Sequence, residues 1–313
     1  MRRRSERDRD EDRGRNDDDE SGGGRVAGRR DSPAEDASTD TGAGPGSKVT
    51  SNSVDAVGPL GPETVPGGTF GADGLMTRYV SGGDPASSYN VAVAFAGDGW
   101  TADLQADFVA AADYLSRVVT GDVADTFLRN GTPVDDVLID ASLIAIDGPS
   151  GVLGRAGPRE IRFDALPKNG IMEFDTADAE RFDDAGLWDD IVLHEMTHVL
   201  GFGTIWGILD LAAQTSDGLR FVGEKATAVY QQEFADRIPG DTNKALGVPV
   251  EEEFGPGTAG GHWDEALFDN ELMTGLIDGN NYLSMTTIAS LDDLGYETVI
   301  DQLFTVDAQV LLV

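Results

Sequence analysis

The chain has 313 residues and a formal net charge of −34, from 57 acidic and 23 basic side chains. This acidity excludes a DNA- or RNA-binding protein, because phosphate backbones require a basic face. The absence of cysteine excludes disulfides and any latency mechanism in which a thiol blocks a metal. The length fits one large domain or two modest ones.

The negative charge is concentrated after residue 60. Residues 1–60 hold 14 acidic and 11 basic side chains, which leaves 43 acidic and 12 basic in the remainder. Lysine occurs only as Lys48, Lys168, Lys225 and Lys244. Abundant Asp and Glu with scarce lysine is typical of halophilic proteins, because concentrated salt screens repulsion within a few ångström. The composition therefore predicts a halophilic protein that loosens at low salt, with an ordinary acidic protein as the alternative.

The first 88 residues show no periodic apolar pattern. A mixed-charge tract is followed by a stretch rich in Gly, Ser, Thr, Asp and Pro, a composition that buries too little apolar surface to fold. We interpret residues 1–88 as a disordered leader or propeptide. No apolar run of about 7 to 15 residues follows the first arginines, so a standard signal peptide is not expected. No stretch of about 18 apolar residues predicts a transmembrane helix.

Folded sequence is expected to begin near Tyr89. The predicted strands are 91–95, 137–146 and 171–174, and the predicted helices are 103–119, 187–200, 226–234 and 285–294. Runs of β-branched residues favour strands, whereas apolar residues at helical spacing favour helices. A strand–helix–strand opening followed by another helix is typical of an α/β subdomain.

Two of the three histidines lie in the predicted helix 187–200, in the motif His194-Glu195-Met196-Thr197-His198. Residues four apart on a helix are neighbours, so both imidazoles can reach one ion. Glu195 lies about 100° further around the helix, outside the ligand set but near a metal-bound water. Zinc lowers the pKa of such a water to about 7, so Glu195 would act as general base and later as proton donor. The alternative is a helix with two surface histidines, which the apolar flanks disfavour.

A catalytic zinc ion commonly takes a third protein ligand. The remaining histidine, His262, lies far downstream. A downstream glutamate would be the third ligand in a thermolysin-like arrangement, and Glu224, Glu233 and Glu251 are the candidates.

The extended motif His-Glu-x-x-His-x-x-Gly, which ends at Gly201, resembles the metzincin peptidases. Most metzincins place the third histidine where this chain has Thr204. The delayed His262 resembles instead the leishmanolysin-like branch, in which an insertion of similar size precedes that histidine. The resemblance covers about residues 89–300 and is strong around the helix and around His262. Similar stretches also occur at 151–158, 170–175, 270–275, 284–287 and 291–296.

The resemblance implies an α+β, metzincin-type zinc peptidase fold with two subdomains on either side of an active-site cleft. Residues 89–203 would form the upper subdomain with the active-site helix, and residues 204–313 the lower one with the insertion. The implied site consists of the zinc ligands His194, His198 and His262, the catalytic Glu195 and a Met-turn at Met273. Met285, the other methionine near this region, begins an apolar helical series and is expected in the core. The strand that a substrate would join at the sheet edge would be Gly170, Ile171, Met172, Glu173 and Phe174.

We therefore predict a metalloendopeptidase that uses one catalytic Zn²⁺ and acts on protein or peptide substrates. The alternatives are a non-catalytic surface or adhesion protein that keeps the metal structurally, and a zinc hydrolase of a non-peptide substrate. Glu195 argues against a structural metal site, because such a site has no use for a base. The resemblance also implies a secreted or surface-associated protein.

Overall fold

A computed structural model describes residues 67–149, 152–238 and 240–301, together with the backbone of residues 24–28. The strands are β1 (Gly24–Gly28), β2 (Thr69–Phe70), β3 (Met76–Val80), β4 (Val91–Ala96), β5 (Thr126–Phe127), β6 (Pro133–Val134), β7 (Val137–Ile144), β8 (Val152–Ile161), β9 (Pro167–Asp175), β10 (Ala212–Thr215), β11 (Gly218–Phe221), β12 (Val248–Pro249) and β13 (Leu276–Ile277). The helices are α1 (Ala102–Val118), α2 (Ala179–Asp184), α3 (Trp188–Val199), α4 (Glu224–Glu233), α5 (Glu265–Phe268) and α6 (Met285–Leu294), with a 3-10 turn at Lys244–Leu246. The chain is therefore an α+β protein.

The main sheet has eight strands within the described residues, in the order β13-β1-β8-β9-β7-β4-β3-β2. The central strands β4, β7 and β9 are parallel to one another, and β8 is antiparallel to β9. Residues of β4 and β7 are rich in Val, Ile, Leu and Ala and largely buried, as expected for strands covered on both faces. A smaller sheet, β10-β11-β12, lies in the insertion between α3 and His262.

Helices α1 and α3 pack side by side on the main sheet. Helix α1 begins where Thr101 Oγ1 accepts a hydrogen bond from the Leu104 backbone N–H at 3.1 Å, a stabilising N-cap. Aromatic rings join the helices to the sheet: the Phe174 ring of β9 lies 5.6 Å from Phe108 of α1 and 4.7 Å from Trp188 of α3, between ring centroids. These buried contacts fix the position of α3 over the end of the sheet that carries β8 and β9.

Several predicted elements are confirmed, with small differences at their ends. The strand predicted at 91–95 is β4, the helix predicted at 103–119 is α1, and the helix predicted at 285–294 is α6. Helix α6 ends at Gly295, whose left-handed φ of 116° is typical of a glycine that caps a helix. None of the helices in the described ranges combines the length and apolarity that crossing a lipid bilayer requires.

The boundary of the leader is corrected. Strand β3 lies within the segment 1–88 that the composition predicted as disordered, and it pairs with β4. Tyr79 on this strand is fully buried, and the Gln105 side chain bonds both the N–H and the C=O of Met76 at 2.8 Å. A five-residue strand has too few residues to give a clear alternation, so sequence periodicity missed it. Residues 1–23 and 29–66 of the predicted leader lie outside the described residues.

The predicted edge strand is also corrected. Residues 170–174 lie in β9, which pairs with β7 on one side and β8 on the other. A strand that is hydrogen-bonded on both sides cannot accept an added peptide strand. The sequence predicted a strand here correctly, but the order of strands in a sheet depends on contacts that local patterns do not contain.

Acidic side chains from three helices converge near Asp107. Burial, together with the negative charges of Asp189, Asp183 and Asp103, raises the pKa of Asp107 to about 6. A carboxyl with a pKa above its unfolded value binds its proton more tightly in the folded state. The folded state therefore loses stability as the pH rises from about 4 to 6.

We expect Asp107→Asn to raise the melting temperature in dilute buffer at pH 7 and to flatten the pH dependence between about pH 4 and 6. The gain should shrink in molar salt, which screens the repulsion. Thermal unfolding at two salt concentrations measures both effects, with the exposed Asp98 replaced by Asn as the control. Equal gains in melting temperature for the two variants would show that the acidic cluster around Asp107 does not destabilise the fold.

Candidate metal centre and active site

Helix α3 carries the motif His194-Glu195-x-x-His198, and all three of these side chains are fully buried. Acidic residues at Asp189 and Asp190 occupy its first turn, where negative charge suits the helix dipole. The chain leaves the helix through Gly201, whose φ is 109°. A Cβ at this position would lie 2.6 Å from the Ile205 Cδ1 atom, so both backbone angle and space require glycine.

The insertion returns to the helix at His262. Gly203 has a φ of 68°, and a Cβ there would lie 2.1 Å from the Gly261 carbonyl oxygen. This close approach of two backbone segments, which only glycine permits, places His262 beside the end of α3. Trp263 holds the returning chain, because its ring stacks on Trp206 at 5.2 Å and meets Phe202 edge-on at 4.9 Å.

The three histidines meet at one point. The Nε2 atoms of His194 and His198 are 3.0 Å apart, those of His198 and His262 are 3.0 Å apart, and those of His194 and His262 are 3.2 Å apart. Nitrogens bound to one tetrahedral zinc at about 2.0–2.1 Å would be separated by roughly 3.3 Å. The spacing of the imidazoles therefore matches a shared ion of this size.

The hydrogen bonds of the three Nδ1 atoms explain why the Nε2 atoms face one another. Nδ1 of His194 lies 2.7 Å from the Leu272 carbonyl, Nδ1 of His198 lies 2.9 Å from the Phe202 carbonyl, and Nδ1 of His262 lies 2.9 Å from the Thr258 carbonyl. A carbonyl only accepts hydrogen bonds, so each Nδ1 carries the proton and donates it. Each Nε2 then presents a lone pair, as in metal-ligating histidines.

Burial keeps these imidazoles neutral. It lowers the pKa of His194 to about 3, that of His262 to about 4, and that of His198 far below its usual range. Three lone pairs therefore face one another in a site without solvent, an arrangement that a cation stabilises and that is unfavourable without one. The donor set and geometry fit a zinc ion.

The glutamates considered as alternative third ligands are used elsewhere. The Glu251 carboxylate accepts the backbone N–H groups of Glu253 at 2.7 Å and Glu265 at 3.1 Å. The Glu233 carboxylate accepts the backbone N–H groups that begin α6. Glu224 is exposed in the first turn of α4. His262 is thus the side chain that the structure brings to the two helix histidines.

Glu195 lies beneath strand β8. A Cβ at Gly154 would lie 3.2 Å from the Glu195 Oε1 atom and 2.7 Å from the Phe174 ring. Glycine therefore lets the β8 backbone pass directly over the carboxylate. The β8 backbone therefore covers the residue that follows His194 in α3.

The family model for leishmanolysin matches residues 120–305, more than half of the chain. The chain belongs to the leishmanolysin family. It is also 28% identical over 149 residues to a leishmanolysin homolog from Crithidia fasciculata, a match that covers 47% of this chain and 22% of that protein. The matched segment thus spans about a fifth of the length of this relative.

The leishmanolysin match includes α3, His262 and Met273 but begins after α1. Strands β1 to β4 and helix α1 therefore lie outside the matched region, although the four strands belong to the main sheet and β3, β4 and α1 contribute to its core. The structure, and not the family match, assigns them to the site's scaffold.

Sequence reasoning left Glu271 of this leishmanolysin-family chain without a role. Its side chain is fully buried beside Met273, and its carboxylate accepts hydrogen bonds from the Met273 N–H at 2.6 Å, the Ser284 N–H at 2.9 Å and the Thr287 hydroxyl at 2.6 Å. Burial raises the pKa of Glu271 to about 7, and the three donors oppose that rise. The sequence feature that could have indicated a buried role for Glu271 is its position next to the apolar pair Leu272-Met273.

These bonds tie the segment around Met273 to the start of α6. The Leu272 carbonyl, one residue from Glu271, is the group that receives the Nδ1 proton of His194. Glu271 therefore holds in place the backbone that orients one of the three imidazoles.

We expect Glu271→Ala to leave three buried donors without an acceptor and to lower the free energy of unfolding by about 3–5 kcal/mol. Zinc affinity should fall by about 10- to 100-fold, as for other groups that orient a ligating histidine. Urea unfolding and competition with a chelator measure these effects. Glu271→Gln keeps one acceptor oxygen and should lose less of both; equal loss in the two variants would contradict a hydrogen-bonding role.

Proposed function

We propose that this protein is a zinc-dependent metalloendopeptidase, with His194, His198 and His262 as zinc ligands and Glu195 as general base. The observation that carries the proposal is the convergence of three buried, unprotonated Nε2 atoms beside a buried glutamate. Membership of the leishmanolysin family supports the assignment of this centre to peptide hydrolysis.

When bound, zinc would act as a Lewis acid that acidifies water and polarises a carbonyl. The three neutral imidazoles would hold the ion through Nε2, and their Nδ1 bonds to backbone carbonyls keep the rings oriented. The Glu195 carboxylate takes the proton from the attacking water and returns it to the leaving amine.

We also propose a metzincin-type division of the chain around this centre. The upper part would contain the main sheet and α3 and would begin near residue 67 rather than 89. The lower part, from about residue 204, would contain the insertion, His262 and the Met-turn at Met273. Met273 is fully buried; its N–H donates to the Glu271 carboxylate and its carbonyl accepts the Trp263 N–H, which supports a tight turn near the histidines.

Cleavage of an unfolded protein by the zinc-loaded chain in high salt tests the proposal. We expect cleavage inside the polypeptide that stops when a chelator removes zinc and returns when zinc is restored. Bound zinc at one ion per chain without any cleavage would favour the non-catalytic surface or adhesion protein. Cleavage of small esters or amides but not of peptides would favour a hydrolase of another substrate class.

A further inference from the structure

The Thr258 backbone orients the third imidazole of the proposed metal centre. Its carbonyl oxygen lies 2.9 Å from His262 Nδ1 and also accepts the Gly261 N–H at 3.3 Å. Because Nδ1 donates its proton to this carbonyl, the position of the carbonyl sets the direction in which His262 Nε2 points. His262 lies outside the helices and strands of the described residues, whereas His194 and His198 are fixed by α3. The direction of the His262 ring therefore depends on what holds Thr258.

The Thr258 side chain is held against Gly275. Thr258 is 4% exposed, and Gly275 is buried. A Cβ added at Gly275 would lie 1.9 Å from Thr258 Cγ2, 3.2 Å from Thr258 Cβ and 3.4 Å from Thr258 Oγ1. Carbon atoms in contact are about 3.5–4.0 Å apart, so the Thr258 methyl group occupies the space of any side chain at position 275. Gly275 is not among the described glycines with a positive φ, so space and not the backbone angle requires glycine here.

Two hydrogen bonds tie the segment that ends at Gly275 to the metal centre. The Leu272 carbonyl lies 2.7 Å from His194 Nδ1, and the Met273 carbonyl accepts the Trp263 N–H at 3.0 Å. Trp263 directly follows the third histidine in the chain. The same short segment therefore holds one imidazole directly and holds the chain on both sides of another.

We propose that the fit of Thr258 against Gly275 aligns His262 for metal binding, which makes both of them positioning residues of the zinc centre. The proposal rests on the proposed function, because it concerns the ligands assigned there. A larger residue at position 275 would push the Thr258 carbonyl away from His262 Nδ1. A smaller residue at position 258 would leave a gap into which the carbonyl can move. Either change would turn the His262 ring away from the point that it shares with the other two imidazoles.

Moving one methyl group between the two positions tests the fit. Gly275→Ala adds a carbon where Thr258 Cγ2 now lies, and zinc affinity should fall by about 10- to 100-fold, as for other groups that orient a ligating histidine. Thr258→Ser removes Cγ2 and should lower zinc affinity severalfold. Gly279→Ala is the matched control and should change nothing, because a Cβ at Gly279 meets no atom within 4 Å. Competition with a chelator measures all of these affinities.

The double variant Gly275→Ala, Thr258→Ser decides the inference. The added Cβ takes the space that the lost Cγ2 leaves, so the double variant should bind zinc more tightly than Thr258→Ser alone. Losses that add, or a double variant that does not fold, would overturn the proposal. The comparison with Thr258→Ser remains decisive even where Gly275→Ala alone does not fold.

The three imidazoles can be observed one by one, because the chain has no other histidine. Isotope-labelled histidine gives a separate NMR resonance for each Nδ1–H. The His262 Nδ1–H should exchange with water faster in both single variants and recover in the double variant, whereas those of His194 and His198 should change less. A general loss of stability would instead speed exchange at all three, and that result would overturn the proposal.

The exchange of Nδ1–H requires no metal, so it separates this inference from the function on which it rests. Faster exchange at His262 in the single variants, with recovery in the double variant but no zinc bound by any chain, would support the fit and contradict the metal centre. Equal zinc affinity and equal exchange in every variant would support the metal centre and overturn the fit.

Discussion

His262→Ala should abolish stoichiometric zinc binding and peptide cleavage together. The substitution removes one of three Nε2 donors that lie 3.0–3.2 Å apart, and two neutral imidazoles hold zinc far more weakly than three. Groups that only orient a ligand contribute about 10- to 100-fold to affinity, so loss of a ligand itself should exceed about 100-fold. Metal analysis after dialysis and competition with a chelator measure the loss.

Glu251→Gln is the matched control for His262→Ala. Glu251 is buried next to the same segment, its N–H bonds the His262 carbonyl at 2.9 Å, and it was an alternative third ligand in the sequence analysis. The variant keeps an acceptor oxygen and should retain one zinc per chain. Zinc retained after His262→Ala but lost after Glu251→Gln would show that Glu251, and not His262, is the third ligand.

Glu195→Gln should keep zinc and lose catalysis. The amide has the size of the carboxylate but cannot accept a proton from water, and general acid–base catalysis contributes about 10²–10⁴ in rate. We expect kcat/KM to fall by that factor, mainly through kcat, because the change affects proton transfer more than substrate binding. Steady-state kinetics on a peptide, with zinc content measured on the same preparation, gives both quantities.

Glu253→Gln provides the comparison for an exposed carboxylate of the same chain. It should leave kcat, KM and zinc content unchanged. A Glu195→Gln enzyme that retains full kcat would exclude Glu195 as the base. A variant that loses zinc as well would show instead that Glu195 supports the metal centre structurally.

The local parts of the site could be predicted from the sequence. The spacing of His194 and His198 fixes their common face, because helix geometry repeats every 3.6 residues regardless of the surroundings. Gly201 completes the extended motif in the sequence, and its left-handed φ of 109° lets the chain turn off the helix there. The role of Glu271 could not be derived in this way, because its partners at Ser284 and Thr287 are brought near it by a turn of the chain.

The amino-terminal segment 1–88 shows that composition alone does not predict strand pairing. Low apolar content predicts a segment that forms no core of its own, but a strand needs only a partner edge to pair with. Strand β3 finds that partner in β4, and β1 finds it in β8 and β13. Composition describes what a segment can do alone, whereas pairing depends on what lies beside it.

The sequence by itself determined the chemistry: a helix with two histidines and a glutamate, a third histidine, an acidic chain without thiols, and a family resemblance that the leishmanolysin match bears out. Only the tertiary structure decided that His262 meets the other two, that β9 is internal, and that β1 lies between β8 and β13. The physical reason is the separation along the sequence over which each interaction acts. Helical spacing and turn geometry act over a few residues, whereas strand order and the return of a long insertion depend on packing between residues distant in sequence.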